Sequence, residues 1–219
     1  MSLVPKKARR FAILLTIVAQ FVYAAAALPR LIDLHPHCNL ALTNSPIGAG
    51  PLNGANNLAA LPAGTNLFAE VPFNVSGVVQ LTSQQAVIAR RKFPDHITGI
   101  KVDAPASRIH LLHGAGWNDL EETQIAKWVI HYADGQTHQI PIVYGTHVYD
   151  WWENEDVPKD RQTKLAWTGM NPISKRFGTN LRIYRTTFAN PRPAVAISHL
   201  DFHSAKKQSA PFLLGLTVE

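Results

Sequence analysis

Residues 149–156 combine aromatic rings with carboxyl groups, and these are the two kinds of side chain that bind sugars. They read Tyr-Asp-Trp-Trp-Glu-Asn-Glu-Asp. Sugars present apolar C–H faces that stack on aromatic rings, while their hydroxyl groups donate hydrogen bonds to carboxylates and amides. Asp150, Trp151, Trp152 and Glu153 are therefore candidate ligand-binding residues. In an alternative interpretation, the tryptophans cap a hydrophobic core and Asp150 holds the loop through turn hydrogen bonds.

Neighbouring side chains of an extended backbone point to opposite faces, so we expect at most one of Trp151 and Trp152 to be free. Trp117 is a third candidate, because it follows the flexible sequence Gly114-Ala115-Gly116. Loops cluster at the ends of a β-sandwich, so Trp117 is placed to form a second wall of the same site. The alternative is that its ring anchors a partly buried loop.

Histidine and aspartate recur at positions 199, 201 and 203, a spacing that places three side chains on one face of a strand. Such residues can bind zinc or another divalent ion. Three ligands from a single strand make poor tetrahedral geometry, however, and polar residues are ordinary on an outward face. The sequence His35-Pro36-His37-Cys38 does not force its side chains to converge either. We therefore predict no metal site and no cofactor.

Six carboxyl groups are candidates for a catalytic pair, but the sequence does not show which of them lie close together. Glycoside hydrolysis needs two carboxyl groups about 5–10 Å apart, which a sequence does not show. The chain has no nucleophile elbow, phosphate-binding loop, dinucleotide fingerprint or zinc-protease helix motif. We therefore predict no catalytic residue. The carboxylates available to a hydrolase are Asp119, Glu121, Glu122, Asp150, Glu153 and Glu155. The candidates for a lyase, on a concave sheet face, are His131, Tyr144, Arg182 and Tyr184.

A β-hairpin precedes the aromatic loop and must position it. Ile130 and Tyr132 alternate with polar or smaller residues, which is the period of a half-buried strand. Asp134-Gly135 supplies a tight turn, because this pair readily adopts positive φ. Ile140, Ile142 and Tyr144 then form the apolar face of the return strand.

Strand patterns continue from Leu67 onward, with turn residues about every 8–12 positions, which is typical of an all-β sandwich. We expect antiparallel sheets and only one or two helical turns, within residues 83–91. The period-2 positions predict a core that contains Ile130, Tyr132, Ile140, Ile142, Leu200, Phe202, Leu214 and Leu216.

The N-terminal 27 residues have the pattern of an export signal. Four basic residues precede an apolar stretch from Phe11 to Tyr23, and Ala24 to Ala27 supply the small residues that a signal peptidase requires. The alternative is an uncleaved membrane anchor. We divide the rest into an irregular lead segment rich in Pro, Gly and Asn, residues 28–66, and a sandwich domain, residues 67–219.

Removal of the export signal changes the charge of the chain. The full chain has 21 basic and 15 acidic residues, and four of the basic ones lie within residues 1–27. The remainder has 17 basic and 15 acidic residues, so its composition does not favour nucleic acid as a partner. Cys38 is the only cysteine, which excludes an intrachain disulfide, and we expect a buried, inert thiol.

The order of several short motifs resembles the galactose-binding-like jelly-roll modules of secreted bacterial proteins, which often accompany sugar-active enzymes. The motifs, within residues 67–219, are Val71-Pro72-Phe73, Leu111-Leu112-His113, Tyr132-Ala133-Asp134-Gly135, Tyr144-Gly145, Asp150-Trp151-Trp152, Ala166-Trp167, Asn190-Pro191-Arg192-Pro193 and residues 211–217. The resemblance implies a jelly-roll β-sandwich and contact with carbohydrate.

These observations lead to one expected function and two alternatives. We expect a secreted, periplasmic or cell-surface module without catalytic activity, which binds a polysaccharide or cell-envelope glycan weakly through its end loops. It would meet the membrane only through an uncleaved N-terminal segment. The first alternative is a structural or envelope-associated module without a small ligand. The second is a small jelly-roll polysaccharide lyase or hydrolase.

Overall fold

The computed structural model describes residues 28–48, 54–158 and 161–219. The predicted export signal lies outside these residues. Among the described residues, no helix is long and apolar enough to cross a membrane. The strands are β1 (Arg30–Ile32), β2 (Gly64–Phe68), β3 (Val71–Val75), β4 (Val79–Gln80), β5 (His96–Ala104), β6 (Arg108–Gly116), β7 (Gln124–Tyr132), β8 (Thr137–Val143), β9 (Thr163–Gly169), β10 (Leu181–Ala189), β11 (Ile197–Ser204) and β12 (Ala210–Val218).

Two antiparallel sheets form the body of the molecule, which confirms the all-β sandwich. The large sheet has the order β1-β12-β6-β10-β9, and β4 also pairs with β12. The smaller sheet has the order β5-β11-β7-β8. The described elements also include one turn of 3-10 helix (His35–His37) and two short α-helices, α1 (Gln84–Ile88) and α2 (Pro172–Phe177). Helix α1 lies within the predicted helical turns, and α2 was not predicted.

The predicted hairpin is formed by β7 and β8. Trp128 pairs with Ile140 across it, and Gly135 has φ +84° in the turn, as expected of an Asp-Gly turn. The alternating apolar residues of β7 and β8 face the large sheet and meet its side chains in a first core. All eight residues predicted for the interior are buried.

A second core lies on the opposite face of the large sheet. The hairpin of β2 and β3 covers this face, and Phe73 packs there against side chains of β6 and β12. Leu58 and Leu61, from the segment predicted to be irregular, are buried in the same core. The large sheet is therefore buried on both faces. The lead segment provides strand β1 and also contributes side chains to the second core.

A bulge in β12 changes which core its residues enter. The register against β6 shifts between Leu213 and Gly215, so one extra residue enters β12. A bulge breaks the period-2 alternation of a strand. As a result, Leu214 lies in the second core and Leu216 in the first, although both positions were predicted to be buried on the basis of one alternating pattern.

Four connections meet at one end of the sandwich. They are residues 117–123, 144–158, 170–180 and 205–209, and the strand registers place them together because β6, β8, β9 and β11 end there. Isolated bridges then tie the aromatic loop to this end, from Asp150 to Ala115 and from Trp152 to Leu181. All the predicted ligand-binding residues therefore lie at the same end of the molecule.

Candidate functional site

Trp151 is buried in the second core. Its side chain is only 1% exposed, and its ring meets Phe212 edge-on, with the centroids 6.4 Å apart. Its backbone N–H donates to the carbonyl of Ala115 at 2.8 Å. The expectation of an open stacking ring therefore does not hold for Trp151, because the indole fills the space between the large sheet and its outer cover.

Trp152 is partly exposed, and its ring orientation is fixed by hydrogen bonds. The indole N–H donates to Asn56 Oδ1 at 3.1 Å, and Asn171 Nδ2 donates to the same oxygen at 2.9 Å. The Trp152 ring also packs against Phe177, with centroids 5.9 Å apart. Phe177 is 67% exposed. We call Trp152 and Phe177 the aromatic platform.

Helix α2 positions Phe177, and its ends are determined by local sequence. Asn171 caps the helix by accepting from the N–H of Ser174 at 2.7 Å, while Ser174 Oγ accepts from the N–H of Asn171. Pro172 follows at the first helical position, and Gly178 ends the helix with φ +65°. This short helix is therefore capped at both ends, so Phe177 is held beside Trp152.

The aromatic loop and the end of α2 are joined by the side chain of Asn154. Its Oδ1 accepts from the backbone N–H of Asn180 at 2.9 Å, and its Nδ2 donates to the carbonyl of Gly178 at 3.1 Å. The N–H of Glu153 also donates to the carbonyl of Asn180 at 3.2 Å. The two halves of the aromatic platform thus form one preorganised surface.

An acidic pocket of about 80 Å³ lies next to Glu153. Its carboxylates are partly balanced by Arg161, which lies 3.1 Å from Glu121, and by the mostly buried Arg182, which lies 4.0 Å from Asp156. Arg182 also donates to the carbonyl of Asn154 at 2.8 Å, so this guanidinium holds the loop from below. The pocket is lined by Glu121, Tyr149, Glu153, Glu155, Asp156, Val157, Pro158 and Tyr184.

Asp150 supports the loop from inside and does not face the surface. It is 8% exposed, and its Oδ1 accepts from the N–H of Trp152 at 3.0 Å. Burial raises the pKa of this carboxyl to about 7, because the charged form loses hydration. The hydroxyl of Tyr184 donates to the carbonyl of Asp150 at 2.9 Å. The interpretation of Asp150 as a loop-holding residue agrees with these contacts.

Trp117 lies at the same end of the sandwich but apart from the aromatic platform. It is partly exposed and has φ +64°. In the described part of the chain, its ring makes no aromatic contact with Trp151 or Trp152. The next residue, Asn118, accepts a hydrogen bond from the hydroxyl of Tyr144 at 3.3 Å, which ties this loop to the core.

The lyase candidates are not brought together. His131 lies on the outer face of the smaller sheet, whereas Tyr144 and Tyr184 are buried in the first core between the sheets. Burial raises the pKa of both tyrosine hydroxyls far above the usual range, so neither is ready to act as a base. The residues therefore do not form a Tyr/His/Arg set on one face.

The fold arranges the two candidate metal-binding segments, residues 35–38 and 199–203, in different ways. His35 to His37 form one turn of 3-10 helix, and the half-buried Cys38 thiol donates to the carbonyl of Leu34 at 3.3 Å. Burial raises the pKa of this thiol, in keeping with low reactivity. On β11, in contrast, His199 and Asp201 lie beside His131 of β7, while the ring of His203 stacks on His96.

Phe177, Asn56 and Asn171 are the site residues that sequence reasoning missed. Asn171-Pro172 followed by Gly178 is a helix start and stop signal from which α2 could have been predicted. The pattern does not show that the end of this helix meets Trp152. That contact depends on strand β9, which turns back beside β10 and brings residues 170–180 to the aromatic loop.

No family model matches this chain. No curated protein matches it in sequence either. The resemblance to galactose-binding-like modules therefore stays a prediction.

Proposed function

We propose that this protein is an exported, non-catalytic β-sandwich of jelly-roll type that binds carbohydrate weakly through its end loops. The observation that carries the proposal is the aromatic platform, which combines an exposed Phe177 ring with a Trp152 ring of fixed orientation. Glu153 follows directly in the chain and leads into the acidic pocket. Stacking rings and hydroxyl acceptors are thus adjacent, as sugar binding requires.

The strand order supports the jelly-roll assignment. Between β4 and β12, every connection crosses from one sheet to the other except the hairpins β7–β8 and β9–β10. The smaller sheet, with the order β5-β11-β7-β8, packs against strands β12-β6-β10 of the large sheet. In both sheets, strands from early and late in the chain are neighbours, and a double Greek key produces this arrangement. In such folds, loops from both sheets converge at the ends and are available for ligand binding.

The dimensions of the site favour weak binding. Pockets that enclose a small ligand measure about 300–1,000 Å³, whereas the acidic pocket measures about 80 Å³. It therefore admits only part of one sugar ring. Most of the contact must come from stacking on the open aromatic platform, where the ligand stays largely solvated.

The charge of the site indicates the class of polysaccharide. Four carboxylates line the acidic pocket, and Arg161 and Arg182 offset only part of this charge. Anionic polymers such as polyuronates would be repelled, since like charges at short range oppose binding. We therefore propose neutral polysaccharides, or those that carry amino groups, as the ligands.

Affinity electrophoresis against neutral and anionic polysaccharides, together with a glycan array, tests this proposal. Phe177→Ala should weaken binding by about 1–3 kcal/mol, the range for an exposed aromatic anchor, and leave the melting temperature unchanged. Trp152→Phe, which keeps a ring but removes the hydrogen bond to Asn56, should cause a smaller loss. Leu67→Ala is the matched control, because Leu67 is 71% exposed on β2, away from the end loops.

Three outcomes would contradict the proposal. If the parent protein binds no polysaccharide in either assay, the aromatic platform is structural and the envelope-module alternative replaces sugar binding. If Phe177→Ala and Leu67→Ala have the same affinity as the parent protein, binding occurs elsewhere on the surface. Release of shortened sugars during the assay would show turnover and favour the lyase or hydrolase alternative.

A further inference from the structure

The outer face of the smaller sheet carries a cluster of two histidines and one aspartate. His131 lies on β7, and His199 and Asp201 lie on the neighbouring strand β11. His131 and His199 are directly opposite each other in the register. All three side chains are partly open to solvent, and the cluster lies on the sheet face, apart from the loops of the aromatic platform.

The distances place one donor atom from each residue around a common point. His131 Nε2 is 2.9 Å from Asp201 Oδ2. The two imidazole rings are nearly parallel, with centroids 4.2 Å apart. Donor atoms of the three residues all lie within 4.8 Å of one another. We propose that His131, His199 and Asp201 bind a divalent transition-metal ion of the zinc type.

The geometry needs only a small adjustment to accept such an ion. Zinc takes nitrogen and oxygen ligands at about 2.0–2.2 Å, which places donors of a tetrahedral site about 3.3 Å apart. The pair from His131 and Asp201 is already near this spacing. The donor atom of His199 lies within 4.8 Å of the other two and must move closer to reach this spacing.

Neighbouring groups hold two of the ligands in orientations suited to a metal. The backbone N–H of Gly99 donates to Asp201 Oδ1 at 2.8 Å, which leaves Oδ2 for the ion. Ser198 Oγ lies 3.1 Å from His199 Nδ1, which leaves Nε2 of that ring available. Metal-binding histidines and carboxylates commonly have such outer hydrogen bonds, which fix the ring nitrogen that faces the ion.

A bulge between β5 and β11 creates the hydrogen bond to Asp201. The register shifts between Leu200 and Phe202, so Thr98-Gly99 bulges opposite Asp201. Gly99 has φ +73°, a conformation that favours glycine, and its N–H turns toward the carboxylate. The irregularity therefore positions a ligand, and bulges often orient functional side chains in this way.

Three protein ligands leave at least one coordination position open. Beside His199 is a shallow depression of about 350 Å³, lined by Gly99, Lys101, Asp103 and Ser198. A water molecule or a small anionic ligand can enter there, and sites with an open position are the ones that interact with a ligand beyond the protein. Lys101 and Asp103 both line this depression, so one positive and one negative side chain lie beside the open position.

The proposal is tested by titration with ZnCl₂ and, separately, with CoCl₂. The full chain is used and is purified without a polyhistidine tag. Calorimetry should show one site, and the cobalt complex should show the visible absorption of four- or five-coordinate Co²⁺. His131→Ala, His199→Ala and Asp201→Asn should each weaken zinc binding by more than about tenfold, since loss of even an outer partner costs that much. His138→Ala, which removes an exposed histidine on β8, should bind zinc like the parent protein.

The variant His203→Ala distinguishes the proposed site from an alternative site formed by His199, Asp201 and His203, all on β11. It should retain zinc binding, because the ring of His203 stacks on His96 instead of facing Asp201. Loss of binding in His203→Ala with retention in His131→Ala would overturn the proposal, as would equal binding by all the variants. Each variant is checked by its melting temperature without metal, and the zinc-induced rise in that temperature gives a second readout.

Discussion

Asp150→Asn should make the protein more stable at neutral pH, although it removes a charged group from a hydrogen-bonded loop. The carboxyl of Asp150 is buried, and no lysine or arginine pairs with it in the part of the chain that the structure describes. Burial raises its pKa from 3.8 to about 7. The substituted amide stays uncharged at every pH and keeps an oxygen that can accept from the N–H of Trp152.

The size of the effect follows from proton linkage. Between about pH 4 and pH 7, the folded state of the parent protein binds a proton at Asp150 that the unfolded state does not. This bound proton stabilises the folded state fully below about pH 4, and the stabilisation is lost as the pH rises through about 7. The pKa of Asp150 differs by about three between the folded and unfolded states, and one pKa unit corresponds to about 1.4 kcal/mol. The upper bound on this contribution to the free energy of unfolding is therefore about 4 kcal/mol. We therefore expect the gain of the variant over the parent to increase by about 2–4 kcal/mol from pH 4 to pH 8.

The comparison must be a difference between two proteins, because buried histidines act in the opposite direction. Burial lowers the pKa of His113 to about 3 and also lowers those of His110 and His147. Their contribution to stability is lost as the pH falls below 6.5, and this loss masks the effect of Asp150 in the parent protein alone. Subtraction of the parent curve from the variant curve cancels these groups.

Urea unfolding of both proteins at several pH values, followed by tryptophan fluorescence, measures this difference. Glu155→Gln is the matched control, because Glu155 is an exposed carboxylate of the same loop. A difference between Asp150→Asn and the parent that stays within about 0.5 kcal/mol from pH 4 to pH 8 would refute the reasoning. It would mean that Asp150 is hydrated or paired in solution.

Two further predictions concern the core and the N-terminus. Ile142 is 1% exposed in the first core, so Ile142→Ala should lower the free energy of unfolding by about 2–5 kcal/mol through cavity formation. Gln139→Ala, on the exposed face of β8, is the control, and a loss below about 0.5 kcal/mol for Ile142→Ala would contradict the packing. Cleavage of the proposed export signal should leave a mature chain that starts near Leu28, which N-terminal sequencing tests. A protein that retains Met1 and stays in the membrane fraction would indicate an anchor instead.

The strands of this fold can be predicted well because their signal is local. The alternation of Ile130 and Tyr132 with polar neighbours, and the turn at Asp134-Gly135, depend only on adjacent residues. Burial of Ile140 and Ile142 then follows from the same period. Leu214 and Leu216 show where local reasoning ends, since a bulge that depends on pairing with β6 sends them to different cores.

The candidate sites depend on contacts that no local pattern contains. Trp152 meets Phe177 only because β9 and β10 pair, and His131 meets His199 only because β7 and β11 pair. The i, i+2, i+4 spacing on β11 suggested His203 as a third ligand, whereas the sheet supplies His131 from the neighbouring strand. Similarly, Trp151 and Trp152 are neighbours in sequence but differ in exposure, since Trp151 is buried in the second core whereas Trp152 packs against this core and stays partly exposed.

Strand β12 follows every other strand in the sequence, yet it lies in the interior of the large sheet. All nine of its residues are buried, and it pairs with β1, β4 and β6. Until these residues leave the ribosome, the earlier strands have open edges and neither core can close. If the chain is exported unfolded, as proposed, this order of strands keeps both cores open until β12 has crossed the membrane.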